Sequence, residues 1–215
     1  MTTLTELWPP FGVVITEGDL RLCGITDDDL PGLVEVARAG IHPADQMPFS
    51  MPWTDAAPDE LPVNMLRYLW SVRSSFAAEK FDLLFAVRLA GELAGVQALH
   101  TEHFAVTRTA ETGSWLGRCF QGHGLGTRMR RAVCAFAFDE LGAVQLTSGA
   151  FVDNPASLAV SRKVGYRPNG VFRMQRRPGE VAVNQRLLLS PDDFVRGEPV
   201  TVTGAAELRT FLGLD

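Results

Sequence analysis

The chain is short of cysteine, of basic charge and of long apolar runs. Cys23, Cys119 and Cys134 are odd in number and show no C-x-x-C spacing, which argues against both a disulfide framework and a zinc site. No metal is expected, and free thiols suit a reducing compartment. Twenty basic residues stand against twenty-five acidic ones, a formal net charge of −5, so a general nucleic-acid binder is not indicated. Met1-Thr2-Thr3-Leu4-Thr5-Glu6 lacks a basic signal-type start, and no apolar run approaches the ~20 residues of a membrane-spanning helix. A soluble, cytoplasmic protein with no membrane partner is the expectation. Repeats, low-complexity tracts and linkers are missing too. The 215 residues therefore read as one domain, with a core over roughly 20–190 and a short appended tail over 197–215.

What is there alternates between the periods of strands and helices. Val13-Val14-Ile15 suggests an edge strand or ordered arm, and Asp19 to Gly24 alternates at period two. Thr26-Asp27-Asp28-Asp29 supplies an N-cap and first-turn acids for a helix through Arg38. Residues 41–58 hold Pro43, Pro48 and Pro52 among Met47, Phe49 and Trp53. Such a loop either packs over the core or roofs a pocket. Leu61, Met65, Leu69, Val72 and Phe76 mark a helix over about 58–78. Leu83–Leu89 and Leu93–His100 form a hairpin around Ala90-Gly91, and Thr109–Leu116 is a third strand. A helix carrying Met129, Val133, Phe136 and Ala137 follows and ends at Gly142, then a strand over Val144–Phe151. Asn154 and Pro155 are N-cap and N1 of a last core helix, which stops at Gly165. Residues 170–189 close as a hairpin around Pro178-Gly179, with Arg173, Arg176 and Arg177 solvated, and a strand is expected at 200–203. The fold class is α/β in the broad sense, a single mixed sheet with helices.

The stretch Gly113-Ser-Trp-Leu-Gly-Arg-Cys-Phe-Gln121-Gly-His-Gly-Leu-Gly126 joins the third strand to a helix through a glycine-rich turn. Bare backbone N–H groups at a helix N-terminus suit a pyrophosphate. A P-loop would need Gly-Lys-[Ser/Thr], but Gly126 is followed by Thr127-Arg128. A dinucleotide fingerprint would need a third glycine where Thr127 stands. Gln121-x-x-Gly124-x-Gly126 instead resembles the acyl-CoA pyrophosphate loop of the GNAT N-acyltransferases. A second segment, Asn154-x-x-Ser157 through Lys163-Val-Gly165-Tyr166, is similar to that superfamily's Asn-x-x-Ser…Lys-x-Gly-Phe/Tyr motif. The serine form, and Gly113-Ser-Trp-Leu before the loop, resemble the ribosomal-protein N-acetyltransferase (RimJ/RimL-type) branch.

The resemblance, over about residues 20–190, implies the GNAT fold, a mostly antiparallel sheet flanked by helices. It implies acyl transfer from acetyl-CoA, or succinyl-CoA as the alternative, to a primary amine on a protein N-terminus or a small molecule. A homo-oligomer is compatible with it. The loop from Gln121 through Gly122, His123, Gly124, Leu125 and Gly126 to Thr127 would hold the pyrophosphate. Arg128 is the choice among the flanking arginines for a CoA phosphate. Trp115 and Leu116, at the end of a splayed strand, would present backbone N–H groups to the pantetheine and thioester carbonyl. Asn154 and Ser157 would reach the pantetheine amide and sulfur, with Ser157 assisting the departing thiolate; simple helix capping is the alternative. Ser161 stands where other branches place a tyrosine. An α-amine near pKa 8 is roughly 10% neutral at pH 7, against less than ~0.1% for lysine. Weak base assistance therefore suffices, with Glu111 the candidate. His100 and His103 read as ordinary strand or surface residues. A second class stays open, a CoA-sensing or protein-interaction domain without catalysis.

Overall fold

The computed structural model describes residues 1–215. In chain order the strands are β1 (Val14–Glu17), β2 (Leu20–Gly24), β3 (Asp82–Leu89), β4 (Glu92–Thr101), β5 (Thr109–Leu116), β6 (Gln145–Phe151), β7 (Arg167–Arg177), β8 (Glu180–Leu189) and β9 (Thr201–Thr203). The helices are α1 (Leu4–Leu7), α2 (Leu30–Arg38), α3 (Leu61–Ser74), α4 (Phe104–Thr107), α5 (Leu125–Ala135), α6 (Pro155–Val164) and α7 (Ala205–Leu212). All nine strands share one sheet in the order β7-β8-β6-β5-β4-β3-β2-β1-β9. Every neighbouring pair is antiparallel except β5–β6.

Each face of the sheet carries its own apolar layer. On one face Leu125, Met129, Val133 and Phe136, spaced by three and four, bring α5 and its π-helical continuation onto Phe85, Leu99 and Leu146. Helix α6 joins this layer through Val164. On the other face Leu30, Leu33, Val34 and Ala37 of α2 meet Leu61, Met65 and Leu69 of α3 over Ala86 and Val96. The aspartates before α2 form a 3-10 turn, Asp27–Asp29, in which Asp29 accepts from the Thr26 N–H at 2.8 Å. Asp29 also receives Arg88 of β3 at 2.6 Å, so the entry to α2 is pinned to the sheet.

The proline-rich loop after α2 packs over the core. Met47 is buried, and Phe49 and Trp53 join the α2–α3 layer. Nor are all the late arginines solvated. Arg177 at the tip of the β7–β8 hairpin donates to Asp55 at 2.6 and 2.9 Å and to the Ala44 carbonyl at 3.2 Å. That tie clips the hairpin to the loop and, through its hydrogen bonds, holds the Asp55 carboxyl below its ordinary range.

The tail is a correction to the expected appendage. Strand β9 pairs with β1 from Val14↔Thr203 to Thr16↔Thr201, so β1 is not an edge. Leu208, Leu212 and Leu214 enter the larger core. The signal was too short to read: three strand residues and eight helical ones carry little periodicity, and their burial is wholly long-range. Leu208 is fully buried, so Leu208→Ala should lower the unfolding free energy by about 2–5 kcal/mol, measured by urea titration. A change within about 0.5 kcal/mol, typical of a surface site, would return the tail to the status of an appendage.

Candidate active site

Strands β5 and β6 run parallel for only three rungs, ending at Glu111↔Thr147. Beyond that point β5 continues to Leu116 paired with β4 alone, and β6 continues to Phe151 paired with β8 alone. The sheet therefore forks, and β5 keeps one free edge.

A buried polar knot sits at the crotch. Thr112 Oγ1 lies 2.7 Å from the Tyr166 hydroxyl and accepts from Arg130 Nη1 at 3.2 Å. Arg130 Nη1 also reaches Ser148 Oγ at 3.2 Å, and Nη2 reaches Ser114 Oγ at 3.0 Å. Ser148 Oγ in turn donates to the Thr112 carbonyl at 2.9 Å. Arg130 of α5 is only 4% exposed, has hydroxyl partners on both strands, and has no carboxylate. Burial raises the Tyr166 phenol well above its usual value and lifts the Cys134 thiol to about 11. Both stay protonated and structural; neither is a nucleophile.

The glycine loop lies where β5 ends. Gly122 and Gly124 have φ of +83° and +84°, with nothing within 4 Å of where a Cβ would stand. These left-handed positions favour glycine and leave the outer surface of the turn bare. The N–H groups of Gly122, His123, Gly124, Leu125 and Gly126 donate to no protein acceptor. Thr127 N–H and Arg128 N–H, by contrast, both bond the Gly124 carbonyl, at 3.0 and 3.2 Å. Five consecutive donors thus stand at the N-terminus of α5, where the helix dipole adds about half a positive charge.

Several side chains named from sequence prove to brace the loop. Gln121 donates to the carbonyls of Ile41 and Leu116, each at 2.7 Å, tying the loop to β5 and to the segment after α2. Leu125 is buried in the core, so only its N–H faces outward. Gly126 lies against α6, 3.5 Å from Val160 by its Cβ direction. Arg128 is not a spare cation. Its Nε meets the buried Glu17 at 2.8 Å and its Nη2 meets Asp19 at 2.8 Å. Arg118 is exposed and makes no ion pair, and His123 is exposed.

Asn154 is the N-cap of α6, its Oδ1 accepting from Ser157 N–H at 3.1 Å. Ser157 is half-buried, and its hydroxyl has no protein partner. Ser161 is fully buried with an unpaired Oγ. On the opposite sheet face lie Glu111, Gly113 and Trp115. Trp115 packs on Trp53 at 5.8 Å between ring centroids, and Phe49 and His42 continue the row. Glu111 is exposed and makes no ion pair. His100 is opposite Glu111 in register and pairs with Asp82, Nδ1 to Oδ1 at 3.1 Å. It is a strand residue, as expected from sequence, and the register adds its carboxylate neighbour. No signal in the chain marked it, because a bulge sets the register.

The sheet thus forks, and its free strand runs into a helix N-terminus lined by unpaired amides, a class of arrangement that can take an anionic group. The sequence profile of the acetyltransferase (GNAT) domain matches residues 19–167, and the chain belongs to that family. The Bacillus subtilis protein YdaF, provisionally named a ribosomal N-acetyltransferase, is 35% identical over 83 residues. That match spans 39% of this chain and 45% of YdaF. Mycobacterium smegmatis RimJ in complex with CoA-disulfide shares the fold at a TM-score of 0.69 and 16% identity, covering 95% of each chain. A Salmonella typhimurium acetyl transferase that modifies the N-terminal serine of ribosomal protein L7/L12 shares it at 0.65 and 17%, covering 83% of this chain and 98% of its own. No helix here is long and apolar enough to cross a membrane, and no three His, Cys, Asp or Glu side chains gather as a metal group.

Thr112 is the hub of the knot. Thr112→Val keeps its shape but leaves Tyr166 and Arg130 each short of a partner, so a loss of about 1–3 kcal/mol is expected, read from the urea midpoint. An unchanged midpoint would mean that the knot does not hold the fork.

Proposed function

We propose that the chain transfers an acetyl group from acetyl-CoA to the α-amine of a protein N-terminus. The observation that carries this reading is the run of five unpaired amides from Gly122 to Gly126 at the mouth of the fork. A diphosphate is the ligand whose charge and oxygen spacing use such a run. From there the pantetheine arm follows the free edge of β5 beside Trp115 and Leu116. Backbone N–H groups on that edge take the place of a β6 partner and polarise the thioester carbonyl. Asn154 caps α6 and so fixes the turn that carries Ser157. Ser157, with its hydroxyl uncommitted, assists the departing thiolate. Trp53 lies tilted against Trp115, 5.8 Å between ring centroids, and crowds that face, which favours the small acetyl group over succinyl. Free-CoA release with the two donors compares them directly.

Glu111 offers an exposed carboxylate on the face away from α5 and α6, suited to drawing in a cationic amine. A ribosomal protein as acceptor is supported by the name of YdaF and by the activity ascribed to the Salmonella relative. Transfer by direct attack requires amine and thioester to meet across the sheet, and the fork is where the two faces communicate.

Gly124→Glu places a carboxylate in front of the loop amides. The left-handed φ costs roughly 1–2 kcal/mol, too little to unfold a protein of ordinary stability. CoA affinity by calorimetry should fall at least about 100-fold, the equivalent of one or two charge-assisted hydrogen bonds. Full-strength binding would sink the assignment of the loop. Ser157→Ala should lower kcat about 10- to 100-fold with CoA affinity little changed, and a fully active variant would remove Ser157 from the chemistry.

A further inference from the structure

Asp82, His100 and Glu111 stand abreast on three adjacent strands. Asp82 pairs with His100 between β3 and β4, and His100 with Glu111 between β4 and β5. All three side chains therefore leave the same face of the sheet. Asp82 Oδ1 lies 3.1 Å from His100 Nδ1, a contact that sets the ring with its other nitrogen, Nε2, turned away from the carboxylate. Nε2 points toward β5. A Cβ built on Gly113 would lie 3.3 Å from Nε2 and 3.7 Å from Cδ2, so the ring edge occupies the space that a side chain would fill. Gly113 is two residues past the last β5–β6 rung, on the part of β5 that borders the fork. The ring is 37% exposed and open to an acceptor. Tyr68 of α3 is the other titratable group near the pair; burial, and then the Asp82 carboxylate, raise its phenol.

We infer that His100 is the proton acceptor of the transfer reaction and that Asp82 is its positioning residue, an inference that rests on the acyl-transfer reading above. The ammonium form of the acceptor gives one proton to Nε2. The freed nitrogen lone pair attacks the thioester carbonyl carbon, and the carbon–sulfur bond breaks. The second nitrogen proton passes to the thiolate with the help of Ser157, giving an amide and free CoA thiol. The imidazolium returns its proton to solvent. Donor and acceptor chemistry are separated by the sheet, with Ser157 and α6 on one face and His100 on the other. Glu111, opposite His100 in register, holds the ammonium near the ring rather than taking its proton.

The test uses the full chain, acetyl-CoA and peptides bearing a free N-terminal serine or other small residue. Calorimetry with CoA comes first, and a wild-type chain that binds none overturns both the acyl-transfer reading and this inference. With binding intact, His100→Gln should lower kcat by about 100-fold or more and leave CoA affinity within twofold. Asp82→Asn should lower kcat less, and Glu111→Gln should raise the KM for peptide with kcat within about threefold. The ring tautomer gives a readout independent of turnover. In nitrogen-15 spectra, with His100 assigned by its loss in His100→Gln, the wild type should be the Nδ1–H form and Asp82→Asn should lose that preference. A His100→Gln variant turning over at the wild-type rate, a Glu111→Gln variant that alone loses kcat, or a wild-type Nε2–H tautomer would each overturn the assignment.

Discussion

The geometry of the candidate site depends on two parallel strands parting after three rungs. An unpaired strand edge inside a sheet is costly unless something else satisfies it. Here the point of separation is held by side chains. Thr112 on β5 and Ser148 on β6 are bridged by the Arg130 guanidinium from the helix behind them. A buried guanidinium with hydroxyl partners alone is an expensive choice, and an apolar residue of similar size would pack more cheaply. Its geometry explains the choice, since a planar fork of donors can reach two diverging strands at once. The same helix presents the bare amides of its first turn at the open end of the gap. One element therefore both bridges the parted strands and carries the unpaired amides.

The two faces of the sheet carry different tasks. The α5–α6 face supplies main-chain donors and an uncommitted serine. The α2–α3 face supplies an aromatic row, two carboxylates and an imidazole. The loop after α2 is fastened at several points: Gln121 donates to Ile41, Arg177 donates to Asp55 and Ala44, and Trp53 packs against Trp115. Exposed ion pairs such as Arg177–Asp55 are individually worth little. Together with a buried Met47 they still give a proline-rich segment one position. This face is thereby shaped by elements more than a hundred residues apart in sequence.

Much of this was legible in the chain. Hairpin turn chemistry, the Asn154-Pro155 helix start and the glycine stops are local, and local chemistry reads out locally. The glycine-rich turn before α5 was legible too, because its glycines mark where the main chain is left bare. Side-chain roles near it were harder to read. Arg128 looked like a phosphate ligand by proximity, but a buried glutamate from β1 claims it across 111 positions. The Asp82–His100 pair was hidden by a bulge. The hairpin begins at Leu89↔Glu92, which in strict register would set Asp82 opposite Leu99. One extra residue on β4, near Val87 and Arg88, shifts His100 into that place, and such a slip turns every later side chain to the other face.

The amino-acid sequence by itself determined the elements, the class of sheet and the glycine-rich turn before α5, since periodicity, caps and glycines act over a few residues. Only the tertiary structure decided where the sheet forks, which arginines are committed, that the tail closes the β1 edge, and that His100 stands beside Asp82. Those outcomes hang on strand register and on partners brought from distant segments. A carboxylate or a one-residue bulge settles them, and neither leaves a pattern in the chain.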